Sequence, residues 1–429
     1  GWLARALVLP LAIPAYITAF TFTETLGEGR LFLGLLDGWG VHITPLDLRH
    51  WLGASFVLAV GLYPYVYISC VVALTANRNA ALIDAARLST GNPLLMFWRV
   101  GVPTLRVPAM IGLLLVAMEI LNDYAVASLY AVPTITWAIV DSWTAMGSLG
   151  TSLKLSALLL LGVLPLIILE RRLRTVAPKG QARGRTASLT PTSTYVGAML
   201  SAMLFLPVLA GFVLPILALI MLHPDGYLPN ALIDTLWLAL SVACGVVVMV
   251  WVIEWARQNM PFQAKALGAF ALTGYAMPAA AVAIGILAFS YFTGFFTGVL
   301  GLWLALTYRF ATLGSGQMGQ VLGGVLAVHD ERARVMGVPS WVRWHRIMVP
   351  FMMRPVGLTI ILVVIDVLKE LPATLLLRPF GFETLATMTY QAASLENYSE
   401  AATPAFVLVA LSLLAVLLVF PKLSIGRGS

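Results

Sequence analysis

Four carboxylates are the residues of this chain best placed to do chemistry. Glu119 and Asp123 lie in the apolar run MEILNDYAV, and Asp366 and Glu370 lie in DVLKELPATLLL. Ionisable side chains inside apolar segments are costly to bury and by default mark ion or proton paths. Each pair is four residues apart, a spacing that places both carboxylates on one helix face with Cβ atoms about 5–6 Å apart. Carboxylate oxygens suit hard, multiply charged cations, so the set predicts an oxygen-lined route for such an ion. The structural alternative has Lys369 neutralising its neighbours and Asn122 hydrogen-bonding the others, the whole set fixing helix packing; a third reading places the acids at the outer interface with no role in the path.

Other chemistry is excluded by spacing. Gly314-Ser315-Gly316-Gln317-Met318-Gly319 fits G-x-G-x-x-G, but no strand–turn–helix unit surrounds it, and small residues in a membrane helix more often serve close packing. The sequence contains no G-x-x-x-x-G-K-[ST] phosphate loop, so no bound nucleotide is expected. The five histidines lack metal-ligand spacing, and Cys70 and Cys244 both fall in apolar runs as small core residues. No stably bound metal is expected either.

The elements that must carry these acids follow from composition. Of 429 residues, 60% are hydrophobic and 10% charged, against about 25% charged in a soluble domain. With a mean hydropathy of +0.92, the chain cannot build a water-facing surface, which excludes a soluble enzyme, a nucleic-acid binder and a disordered scaffold. A bilayer core needs about 20 apolar residues per helix, and the blocks lack the dyad alternation of a barrel. The expected fold is an all-α polytopic membrane protein.

Ten spans are predicted, at 5–24, 51–74, 108–128, 153–169, 198–222, 231–253, 267–290, 296–313, 356–376 and 403–421. Lys and Arg concentrate at Arg78–Arg106, Arg171–Arg185, Arg257 with Lys265, and Arg332–Arg354. Alternating the spans puts all four groups on one side, which the positive-inside rule makes the cytoplasm. The net charge of +7 is thereby a topological signal and predicts no nucleic-acid partner. The loops at 25–50, 223–230 and 377–400 then face outward. A basic stretch rich in Pro, Gly, Ser and Thr reads as a linker, giving a first half at 1–170, a linker at 171–197 and a second half at 198–429.

The two halves are related by repetition. Asp84-Ala85-Ala86-Arg87 is followed by Arg99 and Pro103, and Glu331-Arg332-Ala333-Arg334 by Gly337, Arg346 and Pro350, with 19 residues from acid to proline in both copies. The same offset sets Glu119 opposite Asp366 and Asp123 opposite Glu370. Upstream, LPLAIPAY around Pro14 matches LTGYAMPAA around Pro278. Two spans precede the Pro278 segment and none precedes the Pro14 segment, so symmetry predicts a parent of twelve spans from which the first half lacks two.

The repeated cytoplasmic segment has a physical logic. An acid and small residues open a short helix, with the acid near the positive end of its dipole. A break follows at Gly91-Asn92-Pro93 and again at Gly337-Val338-Pro339, then an aromatic and basic turn, then a proline opening the next span. A polar helix with an exposed aromatic face, held between two spans, is what a docking contact for a cytoplasmic partner requires; the structural alternative is an interfacial loop with snorkelling Arg and a Trp belt.

On these residues the sequence resembles the permease subunits of type I ABC importers, whose EAA loop carries the acid-Ala-Ala pattern, the glycine and the distal proline. The first copy departs from the pattern, with Asp84 for Glu and Thr90 at the glycine position, Gly91 coming one residue late. In the second copy Arg332 stands where the family favours Ala. Two copies in one chain resemble the fused permeases, implying two tandem permease halves in a multi-pass protein of the bacterial cytoplasmic (inner) membrane. The resemblance assigns ATPase coupling to Asp84, Ala85, Ala86, Gly91, Arg99 and Pro103, and to Glu331, Ala333, Gly337, Arg346 and Pro350. It implies two copies of a cytoplasmic ATP-binding subunit as partners, with ATP and Mg held there, and no enzymatic activity in this chain.

LYPYVY at 62–67, MEILNDYAV at 118–126 and above all DVLKELPATLLLRPFGFETLA at 366–386 resemble the ferric-iron branch of the fused permeases. That implies a periplasmic ferric-iron-binding protein as partner and an outer gate or docking role for Arg378 and Glu383, against the alternative of a snorkelling Arg at a span end. Fused permeases for thiamine, its phosphates or polyamines share the architecture, and the 366–386 motif argues against them. A proton-coupled secondary transporter is the alternative from another class. Its repeats are often inverted, whereas these halves run parallel.

Overall fold

The computed structural model describes residues 5–27, 31–40, 42–75, 93–176, 194–222, 230–259, 273–295, 298–322 and 325–419. Every regular element among them is helical. The helices used below are α1 (Ala15–Leu26), α2 (Trp51–Thr75), α3 (Val102–Asn122), α4 (Ala125–Leu129), α5 (Ile135–Thr144), α6 (Leu149–Val176), α7 (Thr194–Val208), α8 (Leu214–Met221), α9 (Ala231–Asn259), α10 (Ala279–Thr293), α11 (Val299–Gly314), α12 (Val325–Val335), α13 (Val349–Leu368), α14 (Pro372–Leu377), α15 (Leu385–Ser394) and α16 (Tyr398–Val419). Seven helical stretches among the described residues are long and apolar enough to cross a membrane, at Trp51–Leu74, Phe97–Asn122, Leu149–Leu173, Ser201–Met221, Ala231–Glu254, Ser340–Leu368 and Tyr398–Leu418. This is the pattern of a polytopic membrane protein.

Three of the ten predicted spans take another form, and proline explains two of them. In the 5–24 segment a short 3-10 turn at Leu9–Ala12 stops at Ile13, and Pro14 caps the 12-residue α1. In the 267–290 segment the 3-10 turn Gly274–Ala276 stops at Met277, and Pro278 caps the 15-residue α10. Pro lacks the N–H that a continuous helix needs and fixes φ near −65°, so each segment is two pieces. The third, 296–313, is the 16-residue α11, with the buried charge of Arg309 in it.

Proline also shapes the helices that do span. The π-turns Phe97–Gly101, Leu209–Val213 and Trp344–Met348 run directly into Val102-Pro103, Leu214-Pro215 and Val349-Pro350. A proline ring collides with the carbonyl four residues back. Widening that turn by one residue moves the carbonyl aside and lets the helix continue.

The chain forms two compact units that interleave its segments. Unit 1 contains 1–133, 161–224 and 420–429, and unit 2 contains 134–160 and 225–419. In unit 1, α2 and α3 pack backbone to backbone at Gly112, where an added Cβ would lie 2.6 Å from the Cα of Val66. Tyr130 donates its buried hydroxyl to the carbonyl of Ala19 at 2.9 Å, anchoring the residues after α4 on α1. In unit 2, α9, α11 and α13 meet at two glycines. Gly245 lies against Trp303, and Gly314 lies against Val246, Val250 and Thr359. Without a hydrophobic force between helices in lipid, such close approach is what holds them together.

The ends of unit 2 sort by loop. At one end Glu383 donates its N–H to the Asp234 carboxylate at 3.3 Å, Leu385 donates to Thr235 Oγ1 at 2.8 Å, and Gly298 packs on Pro379. At the other, the rings of Trp251 and Trp344 lie 6.3 Å apart, and Arg343 pairs with Asp330 at 3.4 Å.

Candidate functional site

The predicted acids are not disposed as helix-face pairs. α3 ends at Asn122 and α13 at Leu368, so Asp123 and Glu370 lie past the last helical residue, and the spacing of four no longer fixes a shared face. Both act instead as helix caps. Asp123 accepts from the backbone N–H of Val126 at 3.1 Å and of Ala127 at 3.2 Å, both through Oδ2. Glu370 accepts from Ala373 N–H at 2.9 Å through Oε1, and from Thr374 N–H at 3.0 Å and the Thr374 hydroxyl at 2.6 Å through Oε2. Each carboxylate therefore satisfies the orphan donors of the short helix that follows, where the dipole also favours negative charge. Glu119 and Asp366 stay within α3 and α13, one turn before the break, and are half-buried.

The two copies differ in what faces the cap. Glu370 is 5% exposed, and its counter-ion is Arg309 on α11, with NH1 3.7 Å from Oε1. Asp123 makes no ion pair with a described residue. Arg309 is a residue that sequence reasoning missed. A lone arginine inside the apolar run LTYRFATL is the available signal.

Arg378 and Glu383, singled out separately in the sequence, are brought together. Arg378 NH1 lies 3.4 Å from Glu383 Oε1 and donates to Thr387 Oγ1 at 3.3 Å. Between them, Phe382 N–H returns to the Pro379 carbonyl at 3.2 Å, with Gly381 at φ +80°, closing a tight turn that leaves Phe380 fully exposed.

Of the repeated cytoplasmic segment, Asp84, Ala85, Ala86 and Gly91 lie outside the described residues. Arg99 and Pro103 lie in and just after the first π-turn, both exposed. In the second copy, Glu331 and Ala333 lie on α12, and Gly337 ends it at φ +74°. Val338 N–H bonds the Ala333 carbonyl at 3.0 Å and Gly337 N–H the Arg334 carbonyl at 3.0 Å. That is the Schellman arrangement, in which a left-handed glycine completes the helix end. Pro339 opens the next turn, the π-turn Trp344–Met348 contains Arg346, and Pro350 follows it. The side chains around this corner are apolar and open, with Val335 82%, Met336 79% and Trp341 71% exposed. Arg343 fixes its inner side by pairing with Asp330.

The chain matches no model of a known protein family, and no curated protein is a significant match.

Proposed function

We propose that this chain is the fused, two-half membrane permease of a type I ABC importer and that it takes up ferric iron. The observation that carries the reading is the corner at Gly337. A short polar helix ends there at a left-handed glycine, and the corner presents Val335, Met336 and Trp341 to water beside a proline-linked span. A large apolar patch held between charged neighbours marks a protein contact. Its position in a segment that the sequence repeats supports two such contacts, one for each ATP-binding subunit.

In this reading, closure of the ATP-binding subunits moves the segments at 84–103 and 331–350. The π-turns pass that motion into α3 and α13. The binding protein delivers iron at the outward end, where Arg378 and Glu383 close their loop, and the ion meets carboxylates as it crosses. The residue pattern at 366–386 supports iron over thiamine or polyamines. ATP and Mg belong to the partner subunits, so this chain is a transporter component and no enzyme.

The test is uptake of radiolabelled ferric iron by liposomes containing the permease and its ATP-binding subunit, with loaded binding protein outside. Iron accumulation that needs ATP is the expected result. Uptake of thiamine alone would keep the architecture and remove iron, and uptake driven by a proton gradient without ATP would remove both. Replacing Glu119 and Asp366 together with Ala is expected to abolish uptake while the ATP-binding subunit still co-purifies.

A further inference from the structure

Two interruptions in unit 2 converge on the α11 residue Arg309. The first is the turn before α10. Gly274 sits so close to α11 that an added Cβ would lie 2.2 Å from the Tyr308 carbonyl oxygen and 2.9 Å from the Arg309 Cα. The same turn is tied down by Thr273 Oγ1 to the Tyr308 hydroxyl at 3.2 Å and by Tyr275 N–H to Thr312 Oγ1 at 3.4 Å. The second interruption is the one between α13 and α14, where Glu370 faces the guanidinium.

Arg309 is 6% exposed, and its Nε has no hydrogen-bond partner. At 3.7 Å its NH1 holds Glu370 by charge, without a close hydrogen bond. Glu370 is fully engaged in the other direction, since both oxygens accept from the first turn of α14. A cation seeking this carboxylate would have to displace a helix cap and a guanidinium together. From that cap, α14 runs six residues to Arg378, whose side chain meets Glu383 and Thr387. One ion pair thus sets the root of a short strut, and the strut sets the outer loop.

We propose that Arg309 is a positioning residue that holds Glu370 in place as the cap of α14. The pair thereby fixes the Arg378–Glu383 loop and takes Glu370 out of the acids that meet the transported ion. Only this last clause rests on the importer reading. The pair exists in one copy, so the two halves are unequal at equivalent positions: Asp123 caps α4 through one oxygen and has no described cation beside it.

A charge-removal cycle tests this on the whole chain in nanodiscs and in ATP-driven liposomes. Arg309→Met leaves a buried carboxylate uncompensated, and is expected to lower the thermal midpoint and cut iron uptake about tenfold or more. Adding Glu370→Gln removes the second charge, and its single amide oxygen keeps the two bonds from Thr374 while the bond from Ala373 N–H is given up. The double variant is expected to recover uptake to within about twofold of wild type, with an unchanged KM for loaded binding protein. Arg309→Lys, which keeps the charge, is expected to recover part of the loss. If Arg309→Met behaves as wild type, or if the double variant is no better than Arg309→Met alone, the assignment is overturned. Should Arg309→Met fail to fold, recovery of a thermal transition in the double variant decides the matter. Absence of ATP-driven iron uptake in wild type sinks the iron-importer reading, while the thermal cycle still reads the pair.

Discussion

Glu383 donates its backbone N–H to the carboxylate of Asp234 at 3.3 Å, tying the loop after α14 to the first turn of α9. The same residue's side chain meets Arg378, so one short stretch is braced from both sides. Arg378→Ala removes the side chain that holds Glu383 and Thr387, and leaves the Asp234 tie. Because Glu383 is half in water, the stability cost is about 0.5–1 kcal/mol, a small change in thermal midpoint. The larger effect is expected in transport, as a raised KM for loaded binding protein at nearly constant maximal rate. Equal losses in both would place Arg378 in the transport step and not in docking.

Gly112 tests the packing of unit 1. Its missing Cβ leaves the room α3 needs to lie against the backbone of α2 at Val66. Gly112→Leu forces the two helices apart and is expected to destabilise the protein by about 1–3 kcal/mol, as overpacking does. Gly285 on α10 supplies the control, since a Cβ there meets nothing within 4 Å. Thermal unfolding of the purified protein should separate the two variants, and equal midpoints would remove Gly112 from the helix contact.

The membrane character and most spans were legible, because a run such as ALIDTLWLALSVACGVVVMVW carries its own evidence in length and apolarity. What the sequence obscured was where helices stop. Asp123 and Glu370 look like residues inside spans, and the reading of a shared face assumed an unbroken helix. The interruption is set by carboxylates turning forward onto the N–H groups of the next helix, a choice that spacing alone cannot distinguish from continuation. Pro14 and Pro278 do carry a stop signal, but the apolar runs around them are as long as those of true spans. Arg309 was hidden for another reason. Its meaning lies in its distance to Glu370, a contact between segments that no local pattern encodes.

The dual position of Asp123, at a span end and at a helix start, predicts a split between two substitutions. Asp123→Ala deletes the cap of α4 and is expected to cost about 1 kcal/mol. Asp123→Asn keeps an oxygen for Val126 and Ala127 and should leave the thermal midpoint unchanged. If the carboxylate charge serves the ion's passage, as the importer reading holds, Asp123→Asn still loses most ATP-driven iron uptake. Full uptake by that variant would make Asp123 a cap and nothing more.

Gly337 carries the most direct test of the docking corner. At φ +74° an L side chain costs about 1–2 kcal/mol, so Gly337→Ala strains the end of α12 without touching the membrane spans. Gly337→Pro goes further, because proline cannot adopt positive φ and lacks the N–H that bonds the Arg334 carbonyl. The corner formed by Val335, Met336 and Trp341 is then re-aimed. The expected order for retention of the ATP-binding subunit on purification is wild type, then Gly337→Ala, then Gly337→Pro with the least retained. In the importer reading a second docking segment remains in the first half, so the residual stoichiometry should approach one subunit per permease instead of two. Native mass spectrometry reads that ratio directly, and two subunits bound to Gly337→Pro would show that this corner does not hold the partner.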